Sequence, residues 1–180
     1  RPRILLRGSW HSINIGDIAH TVGTINLIGT YLPEVEIILW PKNVKDGVKE
    51  MILRRFPNLQ IIQKEHEVQS AFKECDFFLH GSGPVLVGQD ELLRWRKETG
   101  KPYGVFGIGI GNKRAVEQRD LLNHAKFLFF RETFQHQRNR LTLNVLLNLL
   151  YLYFFLHYFQ ERIVILYLIF LRYLKLLKCF

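Results

Sequence analysis

Six short apolar runs recur between residues 4 and 130, and the stretches separating them carry apolar residues every three or four positions. The runs are Ile4-Leu5-Leu6, Val35 to Trp40, Leu59 to Ile62, Cys75 to Leu79, Tyr103 to Phe106 and Phe127 to Phe130. Runs that are apolar throughout, rather than at every second residue, belong to strands covered on both faces. Between them lie helical patterns: Ile18, Val22, Ile25, Ile28 and Leu32; Val44 to Phe56, with Val48, Ile52 and Leu53 inward; Val68 to Lys73; Glu91 to Thr99; and Ala115 to His124. This alternation predicts an α/β domain with a doubly wound parallel sheet.

Such sheets take ligands beyond the carboxyl ends of their strands, where the strand order reverses. Three of the runs empty into glycine-rich loops, at residues 8–17, 81–84 and 107–112, and all three leave from the same edge. They are expected to line one crevice. Asn14 and Asp17 are good cap types for the helix that follows the first loop, and its exposed N–H groups favour an anion. Asp17 itself would repel that anion unless protonated or turned to a hydroxyl, and the plainer reading is that Asp17 caps the helix while Gly16 permits the turn. Gly107, Gly109 and Gly111 do not make a dinucleotide fingerprint, since they follow the fifth run and Asp120 lies only nine residues beyond. Gly81-Ser82-Gly83 lacks the lysine of a nucleotide-hydrolase loop.

Composition divides the chain in two, residues 1–134 and 135–180. All 13 glycines and all 6 prolines lie before residue 112, and residues 135–180 hold 14 leucines but no alanine, serine or aspartate. More than half of the +9 formal charge also belongs to that tail. In the first part both signs are scattered as on a solvated surface, with no basic and aromatic motif, which argues against nucleic acid. Cys75 and Cys179 have no metal spacing, so neither a metal nor a disulfide is expected and a reduced compartment fits. Residues 141–159 contain no formal charge over a length that could cross a bilayer. Three readings of the tail stand side by side: a membrane anchor, a reading-frame change that cuts the domain short, and an apolar helical appendage.

Four segments in order carry a resemblance: Gly8-Ser9-Trp10 with Asn14-Ile15-Gly16-Asp17, then His80-Gly81-Ser82-Gly83-Pro84, then Gly107-Ile108-Gly109-Ile110-Gly111, then Phe129-Phe130-Arg131-Glu132-Thr133. Together they resemble the amino-terminal half of polysaccharide pyruvyl transferases over about residues 3–134. The resemblance implies a two-domain enzyme similar to glycosyltransferases of the B type, with its site between the halves. It implies transfer of a pyruvyl group from phosphoenolpyruvate to hydroxyls of a glycan or lipid-linked sugar, forming a ketal and releasing phosphate, without a further cofactor. The expected place is the cytoplasm, with the tail at the inner face of a membrane.

Residue types can be matched to that chemistry. A donor bearing phosphate and carboxylate needs cations and N–H groups, for which Arg7, Arg131, Asn14, Gly16 and the loop residues Gly81, Ser82, Gly83, Gly107, Gly109 and Gly111 are the candidates. Ketal formation needs an acid and a base facing one crevice, and Asp17 and His80 stand at strand exits with suitable groups. No role falls to His11, His20, His66, His124, His136 or His157, which have no ligand spacing. The resemblance further implies a second domain after Thr133, in whose place stand fewer than 50 leucine-rich residues, so a truncated and inactive form is expected. The alternatives are a non-catalytic membrane-associated remnant and a glycosyltransferase-like protein using a nucleotide-sugar.

Overall fold

The computed structural model describes residues 1–109 and 115–130; the tail readings, Ile110, Gly111, Asn112 and Arg131-Glu132-Thr133 lie outside the described residues. The elements alternate along the chain as β1 (Arg3–Gly8), α1 (Ile15–Tyr31), β2 (Glu36–Pro41), α2 (Val48–Arg55), β3 (Gln60–Ile61), α3 (Glu65–Glu74), β4 (Phe77–His80), α4 (Gln89–Thr99), β5 (Tyr103–Ile108), α5 (Ala115–His124) and β6 (Leu128–Phe130). The six strands form one parallel sheet in the order β3-β2-β1-β4-β5-β6, so the chain reverses direction across the sheet between β1 and β4. Each strand matches one of the apolar runs.

Alternate residues of each strand feed two separate cores, as the period of two requires. Ile4 and Leu6 of β1 pack with Ile18, Ile25 and Ile28 of α1 and Val48 and Ile52 of α2. Leu5 faces the other way, into Phe72 of α3, Leu92 and Trp95 of α4 and Leu121 and Leu122 of α5. Cys75 lies in this second core as a free thiol, pushed up to about 12 by burial and therefore inert as a nucleophile at neutral pH. The mixed helical and strand periods in the sequence thus translate into helices on both faces of a buried sheet.

One close approach is built on a missing side chain. A Cβ on Gly104 of β5 would collide with three atoms of the Phe127 ring, two of them at 2.5 and 2.8 Å. That ring cannot swing aside cheaply, because it stacks on Phe77 at 5.8 Å and meets Phe129 edge-on at 5.6 Å. Gly104→Ala should therefore overpack this corner and cost about 1–3 kcal/mol, read as a lower midpoint in urea at unchanged slope. An unchanged midpoint would show that the ring has somewhere to go.

Candidate functional site

At the carboxyl edge, β2, β1, β4 and β5 set Trp40, Arg7, His80 and Val105 side by side in register on one face. The exits from the central strands are then tied together by short hydrogen bonds. Gly81 N donates to Arg7 O at 2.8 Å, Ser82 Oγ and Gly83 N donate to Gly107 O at 2.8 and 3.3 Å, and Gly109 N donates to Gly83 O at 3.2 Å. Trp10 closes the knot from the first loop, its Nε1 donating to Ser82 O at 2.6 Å. The backbone contact at Gly81 leaves no room for a side chain, since a Cβ would sit 2.9 Å from Arg7 O. The exits at 8–17, 81–84 and 107–109 therefore share one rim, at the point where the strand order reverses.

Within that rim the individual residues do not all do what their types suggest. Arg7, expected to meet a donor anion, is buried and already engaged. Its Nη2 is 2.6 Å from Glu91 Oε1, its Nη1 donates to Trp40 O at 3.0 Å, and its guanidinium lies 4.7 Å from the Trp40 ring and 5.2 Å from the Trp10 ring. Burial pulls Arg7 down from its very high ordinary value, against the hydrogen bond and charge of Glu91, which raise it. Burial also pushes Glu91 upward, but the hydrogen bond and charge of Arg7 outweigh it and hold the carboxyl below its usual range. The pair is therefore ionic, and the cation is not at the disposal of a ligand.

His80 likewise sits inside the fold, where a proton donor for a substrate at the rim cannot be. It has no exposed surface, its ring lies 5.0 Å from that of Trp10, and its Nε2 accepts from Gly88 N at 3.0 Å. Accepting at Nε2 places the proton of the neutral ring on Nδ1, which is buried without a partner. Burial, with the charge of Arg7 adding to it, lowers the group from 6.5 to about 4. The ring is neutral at neutral pH. Ser82, too, spends its hydroxyl on Gly107 O.

The start of α1 is arranged differently from a bare helix terminus. Asn14 is the cap, its Oδ1 accepting from Gly16 N at 2.9 Å. Asp17 is not a cap: its carboxylate turns back to the loop, where Oδ2 lies 2.7 Å from His11 Nδ1. Asp17 is 8% exposed, whereas 65% of the His11 side chain faces solvent. A first turn that carries both its own acceptor and its own carboxylate has less to offer a bound anion than the sequence suggests. Exposed lysines Lys42 and Lys45 follow β2 at the same edge, and Lys42 N donates to Gly8 O at 2.9 Å.

Three residues of this neighbourhood escape a sequence reading. Trp10 and Glu91 are recognisable only once the register places them over Arg7. His11 is six residues from Asp17, a spacing with no regular structure to recommend it.

A cavity of about 930 Å³ opens at the opposite, amino-terminal edge of the sheet, lined among others by Arg3, Ile4, Phe77, Lys101 and Tyr103. Arg3 and Lys101 of this lining are already engaged: Arg3 pairs with Glu36 and Glu74, and Lys101 Nζ donates to the carbonyls of Phe72, Lys73 and Cys75. Among the described residues no group of His, Cys, Asp and Glu could hold a metal ion, and no helix is long and apolar enough to cross a membrane.

A family model described as polysaccharide pyruvyl transferase matches residues 14–149, from the cap of α1 through the 81–84 and 107–109 exits. No curated protein and no solved structure matches the chain significantly.

Proposed function

Since the chain belongs to the polysaccharide pyruvyl transferase family, we propose that its α/β unit is one lobe of a transferase built like the B-type glycosyltransferases. The carboxyl rim of the sheet is the wall of its cleft. There a pyruvyl group passes from phosphoenolpyruvate to two hydroxyls of a glycan or lipid-linked sugar, giving a cyclic ketal and inorganic phosphate. The reaction takes place on the cytoplasmic side, at the face of the membrane where such acceptors are assembled.

The observation that carries this reading is the knot of three exits at the strand-order reversal, the place where an open α/β sheet receives its ligand. The donor's phosphate and carboxylate then meet Lys42 and Lys45 of this edge, while Asn14 and the loop backbones address hydroxyls. Arg7 acts from behind, as the buried cation that fixes Trp10 and Glu91 beneath the rim.

The experiment is a thermal shift on the intact chain with phosphoenolpyruvate and, separately, with nucleotide-sugars. At a concentration about a hundred times Kd, phosphoenolpyruvate should add roughly 2.7 kcal/mol of stability, a shift of several degrees, and nucleotide-sugars should add nothing. A response to nucleotide-sugars alone would move the protein to another class of transferase, and indifference to phosphoenolpyruvate would remove the donor.

A further inference from the structure

We propose that His11, through its Nε2, is the group that moves protons in this transfer, and that Asp17 is its positioning residue; the inference rests on the pyruvyl-transfer reading above. In the 2.7 Å contact the Asp17 carboxylate accepts from His11 Nδ1–H, which leaves Nε2 of the exposed ring as the nitrogen that can exchange a proton with a substrate. Asp17 is the more covered partner and stands in the first turn of α1, where the helix dipole favours a carboxylate. Its own oxygens are therefore held for His11 rather than offered to substrate.

The loop around His11 is anchored on both sides while His11 itself stays exposed. Ser9 is held at a positive φ of 51°, with its N donating to Thr21 Oγ1 at 2.9 Å and its Oγ to Asn43 O at 3.0 Å. Trp10 is fixed to Ser82 O, and Ser12 Oγ donates to Asp46 Oδ2 at 2.6 Å. A non-glycine residue in the left-handed region carries a conformational cost that the surroundings must enforce. The enforcement here orients one exposed imidazole at the rim, beside the exits that form the proposed cleft wall.

The chemistry requires a group of this kind twice. One acceptor oxygen bonds to C2 of the enol as its proton moves to Nε2, and the C2–C3 π pair takes that proton from the imidazolium at C3, turning the methylene into a methyl group. The second acceptor oxygen then bonds to C2, its proton again passing to Nε2, while the C2–O bond to phosphate breaks with its electron pair and phosphate leaves with the proton. The two hydroxyl protons end on C3 and on phosphate, and His11 returns to its neutral form.

The test follows phosphate release from phosphoenolpyruvate by the intact chain with 4-nitrophenyl hexosides as acceptors, alongside the thermal shift with phosphoenolpyruvate. His11→Gln and His11→Gly should lower turnover by roughly 10²–10⁴-fold with the thermal shift retained, and added imidazole should restore part of the rate to His11→Gly. Asp17→Asn should lower kcat with KM for phosphoenolpyruvate unchanged. A merely structural pair would show lower Tm without imidazole rescue. Turnover of His11→Gln within twofold of the unaltered chain overturns the dyad and leaves the parent reading standing. Absence of both phosphate release and thermal shift in the unaltered chain overturns the parent reading and this role with it.

Discussion

Glu91→Ala should lower the stability of the domain by about 3–5 kcal/mol, a fall in Tm on the order of 10–20 °C. The substitution strips the carboxylate from a guanidinium whose side chain is 3% exposed, leaving a charge that water cannot reach. The two tryptophan faces at 4.7 and 5.2 Å and the Trp40 carbonyl remain, but none of them carries a full negative charge. Removing both charges is a different matter. The double change Arg7→Met with Glu91→Leu restores an apolar filling of similar volume and should recover most of the loss, since a buried pair is costly to break and cheap to replace. Chemical denaturation of the three variants reads this directly. Retention of the phosphoenolpyruvate thermal shift in the double variant would establish that Arg7 serves the fold rather than the ligand.

Acidification should expose the second large effect, through His80. Its value is about 4 when folded and 6.5 when free, so between these the unfolded chain binds a proton that the folded chain refuses. Stability contributed by this site is complete above pH 6.5 and is lost as pH falls through the folded value. The slope approaches 1.36 kcal/mol per pH unit and the total is about 3 kcal/mol. His80→Gln keeps an acceptor for Gly88 N and removes the titration. The difference between the two pH profiles isolates this histidine from the carboxylates, such as Asp120 and Glu65, whose values are held low by Arg96 and Arg94 and which also lose stability in acid. Parallel profiles over pH 4–6.5 would show that the ring is protonated in the folded state after all.

These two cases also mark what could be read from residue order alone. The strands and helices were legible because each is a local pattern: an apolar run for a doubly covered strand, a three-to-four spacing for a helix face, a glycine or proline at the boundary. The shared rim was legible as well, because a parallel sheet sends all its strand ends to one edge. Partnerships across the sheet were not. Arg7 and Glu91 are 84 residues apart, and only the register that sets Arg7 beside Trp40 and His80 brings α4 over it. The same register buries His80, which by type alone looked like a proton donor at an exit. His11 and Asp17 meet because Asn14 takes the cap and frees the Asp17 carboxylate to turn back along the loop, a choice between two good capping residues that sequence preference does not make.

The reversal of strand order sets a timetable for the nascent chain. β1 can pair with β2 once residue 41 is available, yet its other edge stays open until residues 77–80 arrive to form β4. At about 5–20 residues per second on the ribosome, that edge waits for roughly two to seven seconds. During the interval Leu5 lacks the Phe78 and Trp95 packing of its finished core, and the unpaired edge is a template for mispairing. Synthesis of the first eighty residues is therefore the vulnerable period, and a chaperone acting there would protect the central strand before any part of the rim exists.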